Sequence, residues 1–192
     1  MILWNQFIKL EFEGDPQKMG KKIILINGPS SSGKSTLSKA LQELIEERRN
    51  ERYFIVSIDD FMKLSTDETI YEDDVFEISG DMCTSTLEAL KTYPGVIIDH
   101  VITSERIYSQ LTAMMGQYQI CSVHATCPLN VLLQREYARK NRCLGSAESS
   151  YKYLFPKAGY DLSVDTSIMT PAECSTKIYG AFFKITDSSL SS

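Results

Sequence analysis

The stretch Lys22-Ile23-Ile24-Leu25-Ile26-Asn27-Gly28-Pro29-Ser30-Ser31-Ser32-Gly33-Lys34-Ser35 decides how the rest of the chain is read. Its first half is a short apolar run ended by Gly-Pro, which predicts a buried strand. Its second half fits G-x-x-x-x-G-K-S, and from Ser35 to Arg49 the apolar Leu37, Ala40, Leu41, Leu44 and Ile45 recur at helical spacing. Strand, loop and helix in that order form an anion cradle. Loop N–H groups and the helix N-terminus surround a β-phosphate, Lys34 reaches the β- and γ-phosphates, and the Ser35 hydroxyl ligates magnesium. Glycine suits positions 28 and 33 because the chain must curl round the anion with no side chain in the way. The expected nucleotide-binding set is Gly28, Pro29, Ser30, Ser31, Ser32, Gly33, Lys34, Ser35 and Thr36, with Mg2+ on Ser35. A Ser/Gly-rich turn that merely links strand to helix is the plainer reading of the same loop, but it does not call for the lysine.

Working outward, the strand–helix unit recurs. Strands are predicted over 53–58, 96–98, 120–125 and 162–164, with helices over 83–93, 104–115 and 129–142 between them. Thr170-Pro171-Ala172-Glu173 is a capping box with proline at the first helical position, so a terminal helix should run from Pro171 to about Phe183. Strands apolar along their whole length, alternating with helices, imply an α/β fold with a parallel five-stranded sheet covered on both faces. Residues 1–20 read as an N-terminal extension, 21–187 as one domain with a lid over about 139–155, and 188–192 as a frayed tail.

With 192 residues, 43% hydrophobic, one sizeable core is the default. A net charge of −5 with interspersed signs offers no broad basic face, which argues against nucleic acid as partner. The five cysteines (Cys83, Cys121, Cys127, Cys143 and Cys174) show no C-x-x-C spacing, so reduced, mostly buried thiols are expected rather than a disulfide framework or zinc site. No run approaches membrane-spanning length, and the first ten residues lack a basic leader, so a soluble, cytoplasmic protein is the expectation. Oligomeric state is not encoded in any feature of the sequence.

Asp59 and Asp60 directly follow the second strand. In a parallel sheet, ligands lie beyond the carboxyl ends of the strands, which brings these carboxylates beside the phosphate loop. Either can take a proton from an acceptor hydroxyl, and Asp59, nearer the strand end, is the choice for catalytic base; the alternative is that one of them caps a helix starting at Phe61. Asp99 ends Val96-Ile97-Ile98 as a magnesium-supporting carboxylate would, although an aspartate at a strand end is common. Arg135, Arg139 and Arg142 fall on one face of a predicted helix, with Gly145-Ser146-Ala147 after them as a mobile segment. Arg139 and Arg142 are candidates to meet transition-state charge and Arg135 to bind the nucleotide, against a plain macrodipole-complementing role. His124 reads as a core residue, and His100 as a side chain near the mouth of the site. The acidic segment 67–81, with Tyr71 and Phe76, lies where an acceptor pocket would be built, or is a solvated loop.

Together with Ser57-Ile58-Asp59, Ile97-Ile98-Asp99, Arg-Glu-Tyr-Ala-Arg-Lys-Asn-Arg at 135–142 and Tyr-Asp-Leu-Ser-Val-Asp-Thr from Tyr160, the phosphate loop resembles the chloramphenicol phosphotransferase-like family of P-loop kinases. The blocks stand in the family's order from about Lys22 to Phe183. The resemblance implies a nucleoside-monophosphate-kinase-like fold with a helical lid. It also implies ATP-dependent transfer to a hydroxyl of a small molecule, with Asp59 as base and antibiotics among the acceptors. The chain departs from the family pattern at His100, where a second acid is expected, and in the shorter, more acidic segment after Asp59; both lie where acceptor specificity resides. Two other readings stand beside this one. A zeta-toxin-like kinase would act on nucleotide-sugars. A nucleotide-dependent switch would hydrolyse slowly, but a GTPase of that kind would carry an Asn-Lys-x-Asp motif that the sequence lacks.

Overall fold

The computed structural model describes residues 20–62, 71–139 and 144–183. Five parallel strands form one sheet in the order β2-β3-β1-β4-β5: β1 (Lys22–Asn27), β2 (Phe54–Ser57), β3 (Gly95–His100), β4 (Gln119–Thr126) and β5 (Leu162–Asp165). The helices are α1 (Lys34–Arg49), α2 (Ile58–Phe61), α3 (Glu72–Thr92), α4 (Glu105–Met115), α5 (Leu129–Ala138), α6 (Ser146–Tyr153) and α7 (Pro171–Phe182). None of the described helices is long and apolar enough to cross a membrane.

The central strand shows why the run is apolar throughout. Successive side chains of a strand point to opposite faces. Ile24 and Ile26 pack with Leu37, Leu41 and Ile45 of α1 and Ile178 of α7. Ile23 and Leu25 pack with Met82 of α3 and Ile107 and Leu111 of α4. Each face carries its own helical layer, and a polar substitution at any of these four positions would lie in a core.

Strand order sets the position of the site. β1 lies between β3 and β4, and its chain leaves to cross β3 before forming β2, so the crevice at the carboxyl end of β1 is the topological switch point of the sheet. Gly28 begins the loop there. A Cβ on Gly28 would lie 2.5 Å from the Ala125 carbonyl oxygen of β4, so it is the neighbouring strand, rather than a left-handed conformation, that demands glycine. At Gly33, by contrast, φ is +88° and a Cβ would make only an ordinary contact with the Arg135 guanidinium at 3.9 Å: conformation alone demands glycine.

Three expectations need correcting. The helix expected from Cys83 begins eleven residues earlier, at Glu72, so residues 72–81 of the acidic segment are helical rather than a loop; residues 67–70 lie outside the described residues. Its buried stripe, Ser79, Met82, Cys83, Thr86 and Leu90, has helical spacing but includes two hydroxyls, which blurs the apolar period. The Asp74 carboxylate accepts from the Tyr71 N–H at 3.0 Å, half of a capping box. Second, α5 ends at Ala138, and Arg139 is already extended (φ −93°, ψ 104°), so Arg135 and Arg139 do not share one helix face; Arg142 lies outside the described residues. Third, Gly145-Ser146-Ala147 is the start of α6, fixed by hydrogen bonds from both ends of the segment. The expectations for residues 1–19, for 188–192 and for Cys143 also lie outside the described residues. Cys83, Cys121, Cys127 and Cys174 are free thiols and buried.

Candidate active site

The site begins with a helix that lacks its own anion. α1 starts at Lys34, with Gly33 as N-cap, no side chain capping it and no acidic residue in its first turn. No acidic side chain of the helix's own first turn thus offsets the positive end of its dipole, which suits an anionic ligand. The loop before it is tightly packed: Ser30, Ser31 and Ser32 are all nearly inaccessible, and their hydroxyl oxygens have no hydrogen-bond partner. Buried hydroxyls left unpaired are costly, and three in succession in a glycine-flanked loop suit an anion with many acceptor oxygens. Ser31 adopts φ 64°, a conformation that costs a residue with a Cβ about 1–2 kcal/mol.

Side chains from α1, β3, α2 and the end of α5 converge on this loop. Lys34 Nζ folds back to the Pro29 carbonyl at 2.9 Å. The Ser35 hydroxyl donates to Asp99 Oδ2 at 2.6 Å, and Asp99, at the end of β3, is buried. Asp59 is in the first turn of α2, whose N-cap is Ser57, so it caps no helix at Phe61. A small cleft is lined by Lys34, Ser35, Asp59, Asp99 and Arg139 among others, and Asp60 is not in its wall. Arg139 lies also on the wall of an adjoining cavity of about 390 Å³, with Gly33, Thr36, Arg135, Met169 and Cys174.

Arg135 faces that cavity, but its guanidinium is held by protein: it donates to the Thr166 carbonyl at 2.7 Å and, with longer contacts, to the Thr166 hydroxyl and the Ser32 carbonyl. His100 is buried rather than at the mouth, with Nε2 3.0 Å from the Ser79 hydroxyl of α3. Burial drives its pKa down to about 4, with the Lys34 ammonium pushing the same way, so the ring is neutral at pH 7. His124 stacks on Tyr160, ring centroids 4.6 Å apart.

Four further residues shape the site without having been singled out from the sequence. Asn27, fully buried at the end of β1, accepts from the Ile102 N–H at 3.0 Å and donates to the Phe155 carbonyl at 2.8 Å, tying the loops after β3 and α6 together. Glu136 is buried, and its two carboxylate oxygens accept from the N–H groups of Ala147 at 2.7 Å and Gly145 at 3.0 Å. Ser150 of α6 accepts from the Ser30 N–H at 2.8 Å. Thr166 donates to the Ser32 carbonyl at 2.6 Å. Glu136 and Thr166 lie inside blocks that the sequence had marked out, which was the available signal.

A catalytic magnesium ion needs oxygen ligands, and among the described residues no group of three or more His, Cys, Asp or Glu is assembled to hold a metal. The hydroxyl–carboxylate pair Ser35–Asp99 beside the phosphate cradle fits an ion whose remaining ligands are phosphate oxygens and water.

The family model described as Chloramphenicol phosphotransferase-like protein matches residues 21–182. No curated protein matches the sequence. Among solved structures, the APS kinase of Mycobacterium tuberculosis in complex with AMPPNP and APS superposes with a TM-score of 0.67 at 16% identity, over 84% of this chain and 96% of that one. A gluconokinase from Sinorhizobium meliloti gives 0.62 at 18%, over 83% and 90%. The shikimate kinase of Acinetobacter baumannii in complex with shikimate gives 0.57 at 20%, over 86% and 94%. At these identities the likeness establishes the fold, that of P-loop kinases.

Proposed function

The chain belongs to the chloramphenicol phosphotransferase-like family, a family of kinases that act on small molecules, and on that premise we propose that it moves the γ-phosphate of ATP to a hydroxyl of a small acceptor. The observation that carries this reading is the convergence of Lys34, Ser35, Asp59, Asp99 and Arg139 on one cleft beside the α1 N-terminus. The triphosphate lies along Gly28 to Thr36, with its nucleoside in the cavity between Thr36, Met169 and Cys174. Ser35 and Asp99 hold Mg2+, which when bound neutralises charge on the phosphate oxygens. Asp59 takes the proton from the acceptor hydroxyl as its oxygen attacks phosphorus, and ADP leaves. Lys34 and Arg139 meet the negative charge that gathers on the equatorial oxygens. Arg142 is a further candidate for that role, and Arg135 lines the nucleoside cavity while bracing the loop. α6 forms part of the lid, and its Ser150 reaches the phosphate loop at the Ser30 N–H.

The acceptor is a hydroxylated small molecule, and antibiotics are within its class by family; resistance through phosphorylation in the cytoplasm is the corresponding biological role. The test is ADP release by purified protein across a panel of hydroxylated antibiotics and metabolites. Stimulation by at least one acceptor supports the reading. Hydrolysis at an unchanged rate with every acceptor would leave a slow nucleotide switch instead.

A further inference from the structure

We propose that Ser150 and Thr166 are positioning residues that clamp the phosphate loop from both sides and so couple α6 to nucleotide affinity. The inference rests on the reading of Gly28–Ser35 as a nucleotide cradle.

Its starting point is Ser31. Among the described residues the only non-glycine positions with positive φ are Ser31 and Asn50. Asn50 is the C-cap of α1, a place where asparagine suits that conformation. Ser31 has no such excuse: its own hydroxyl makes no hydrogen bond. Beyond the local turn, two long-range hydrogen bonds hold its neighbours. On one side the Ser30 N–H is taken by Ser150 Oγ at 2.8 Å; on the other the Ser32 carbonyl accepts from Thr166 Oγ1 at 2.6 Å. These grips come from chain positions 120 and 134 residues away and add to the local turn that the Ser32 N–H closes on the Pro29 carbonyl at 3.2 Å.

The grip on the α6 side is itself fixed in orientation. Ser150 donates its proton to the Ser146 carbonyl at 2.6 Å, which leaves its oxygen as an acceptor for the loop. α6 cannot slide, because Glu136 holds the N–H groups of Gly145 and Ala147 at its first turn. The chain of contacts therefore runs from α5 through α6 to Ser30, the neighbour of the strained Ser31. A cradle held in its anion-binding shape before the ligand arrives binds more tightly than one that must be ordered on binding.

The test measures ATP affinity by isothermal titration calorimetry, with nucleotide KM and kcat alongside, for wild type, Lys34→Ala, Ser150→Ala, Thr166→Val and Thr166→Ser, and for the Ser150→Ala and Thr166→Val changes repeated on a Ser31→Gly background. Ser150→Ala and Thr166→Val should each weaken ATP about fivefold to tenfold, falling on KM rather than kcat, and Thr166→Ser should restore binding relative to the valine. Because glycine adopts positive φ freely, the same changes should cost less than about twofold on the Ser31→Gly background. Wild-type affinity in Ser150→Ala, or an undiminished loss on the glycine background, overturns the clamp. Should Thr166→Val lower the melting temperature sharply, the Ser150 pair of measurements decides alone. Wild-type protein that fails to bind ATP overturns the cradle reading and the clamp with it; binding lost only in Lys34→Ala overturns the clamp alone.

Discussion

The Ser35 hydroxyl and the Asp99 carboxylate meet at 2.6 Å, joining the first turn of α1 to the end of β3 across the carboxyl edge of the sheet. This contact needs both the phosphate loop and the strand order, since β3 lies directly beside β1. Asp99→Asn keeps the shape of the side chain and removes its charge. Turnover should fall by about a hundredfold at fixed low Mg2+ and recover in part as Mg2+ is raised, because a weaker site fills at higher concentration. A Mg2+ titration of ADP release is the check, and a variant with unchanged Mg2+ dependence would remove Asp99 from the metal site.

Gly28→Ala introduces a Cβ 2.5 Å from a main-chain carbonyl of β4, which cannot move without disturbing the sheet. The variant should lose about 1–3 kcal/mol of stability, read as a lower denaturation midpoint with the slope unchanged.

Glu136→Gln replaces a buried carboxylate that accepts two N–H groups by an amide that can accept only through one atom. One N–H then faces an NH2 group. The loss should be about 1.5–3 kcal/mol, and limited proteolysis should show new cleavage near α6 before the core opens. Equal protection of α6 in the two proteins would show that Glu136 does not hold it.

His100 gives a pH dependence of defined sign. Its folded pKa, about 4, lies below the ordinary value of 6.5, so between those limits the unfolded chain binds more protons than the folded one. Stability should fall as pH drops from about 6.5 towards 4, by up to about 3 kcal/mol, and this ring should contribute nothing further below that. Equilibrium unfolding at several pH values, wild type beside His100→Gln, isolates the contribution: the variant's curve should be flatter across that window.

What the sequence disclosed follows how local the physics is. β1, the loop and α1 were legible because a doubly buried strand, an anion cradle and an amphipathic helix are each written in contiguous residues. The capping box at Thr170 and Glu173 was legible for the same reason, and both of its hydrogen bonds are present. The start of α3 was not, because acidic residues dominate its exposed face and Ser79 and Thr86 interrupt its buried one. α6 was hidden more deeply, since its N-terminus depends on Glu136, a residue of another helix. Likewise Asn27, Ser150 and Thr166 acquire their roles only from partners that the fold brings to them. Within the site, Lys34, Ser35, Asp59, Asp99 and Arg139 were named from the sequence and share one cleft. The reading of Arg135 and Arg139 as one helical face failed because α5 ends at Ala138, just before Arg139.

In the proposed reaction Asp59 directs the γ-phosphate to an acceptor hydroxyl. The measurement that tests it is the fate of γ-labelled ATP in wild type and Asp59→Asn, with an acceptor that stimulates turnover and with ATP affinity measured in parallel. Label should appear on the acceptor in wild type, at a rate about a thousandfold lower in Asp59→Asn, with ATP affinity retained. Label appearing only as inorganic phosphate, or transfer at the wild-type rate in Asp59→Asn, would contradict it.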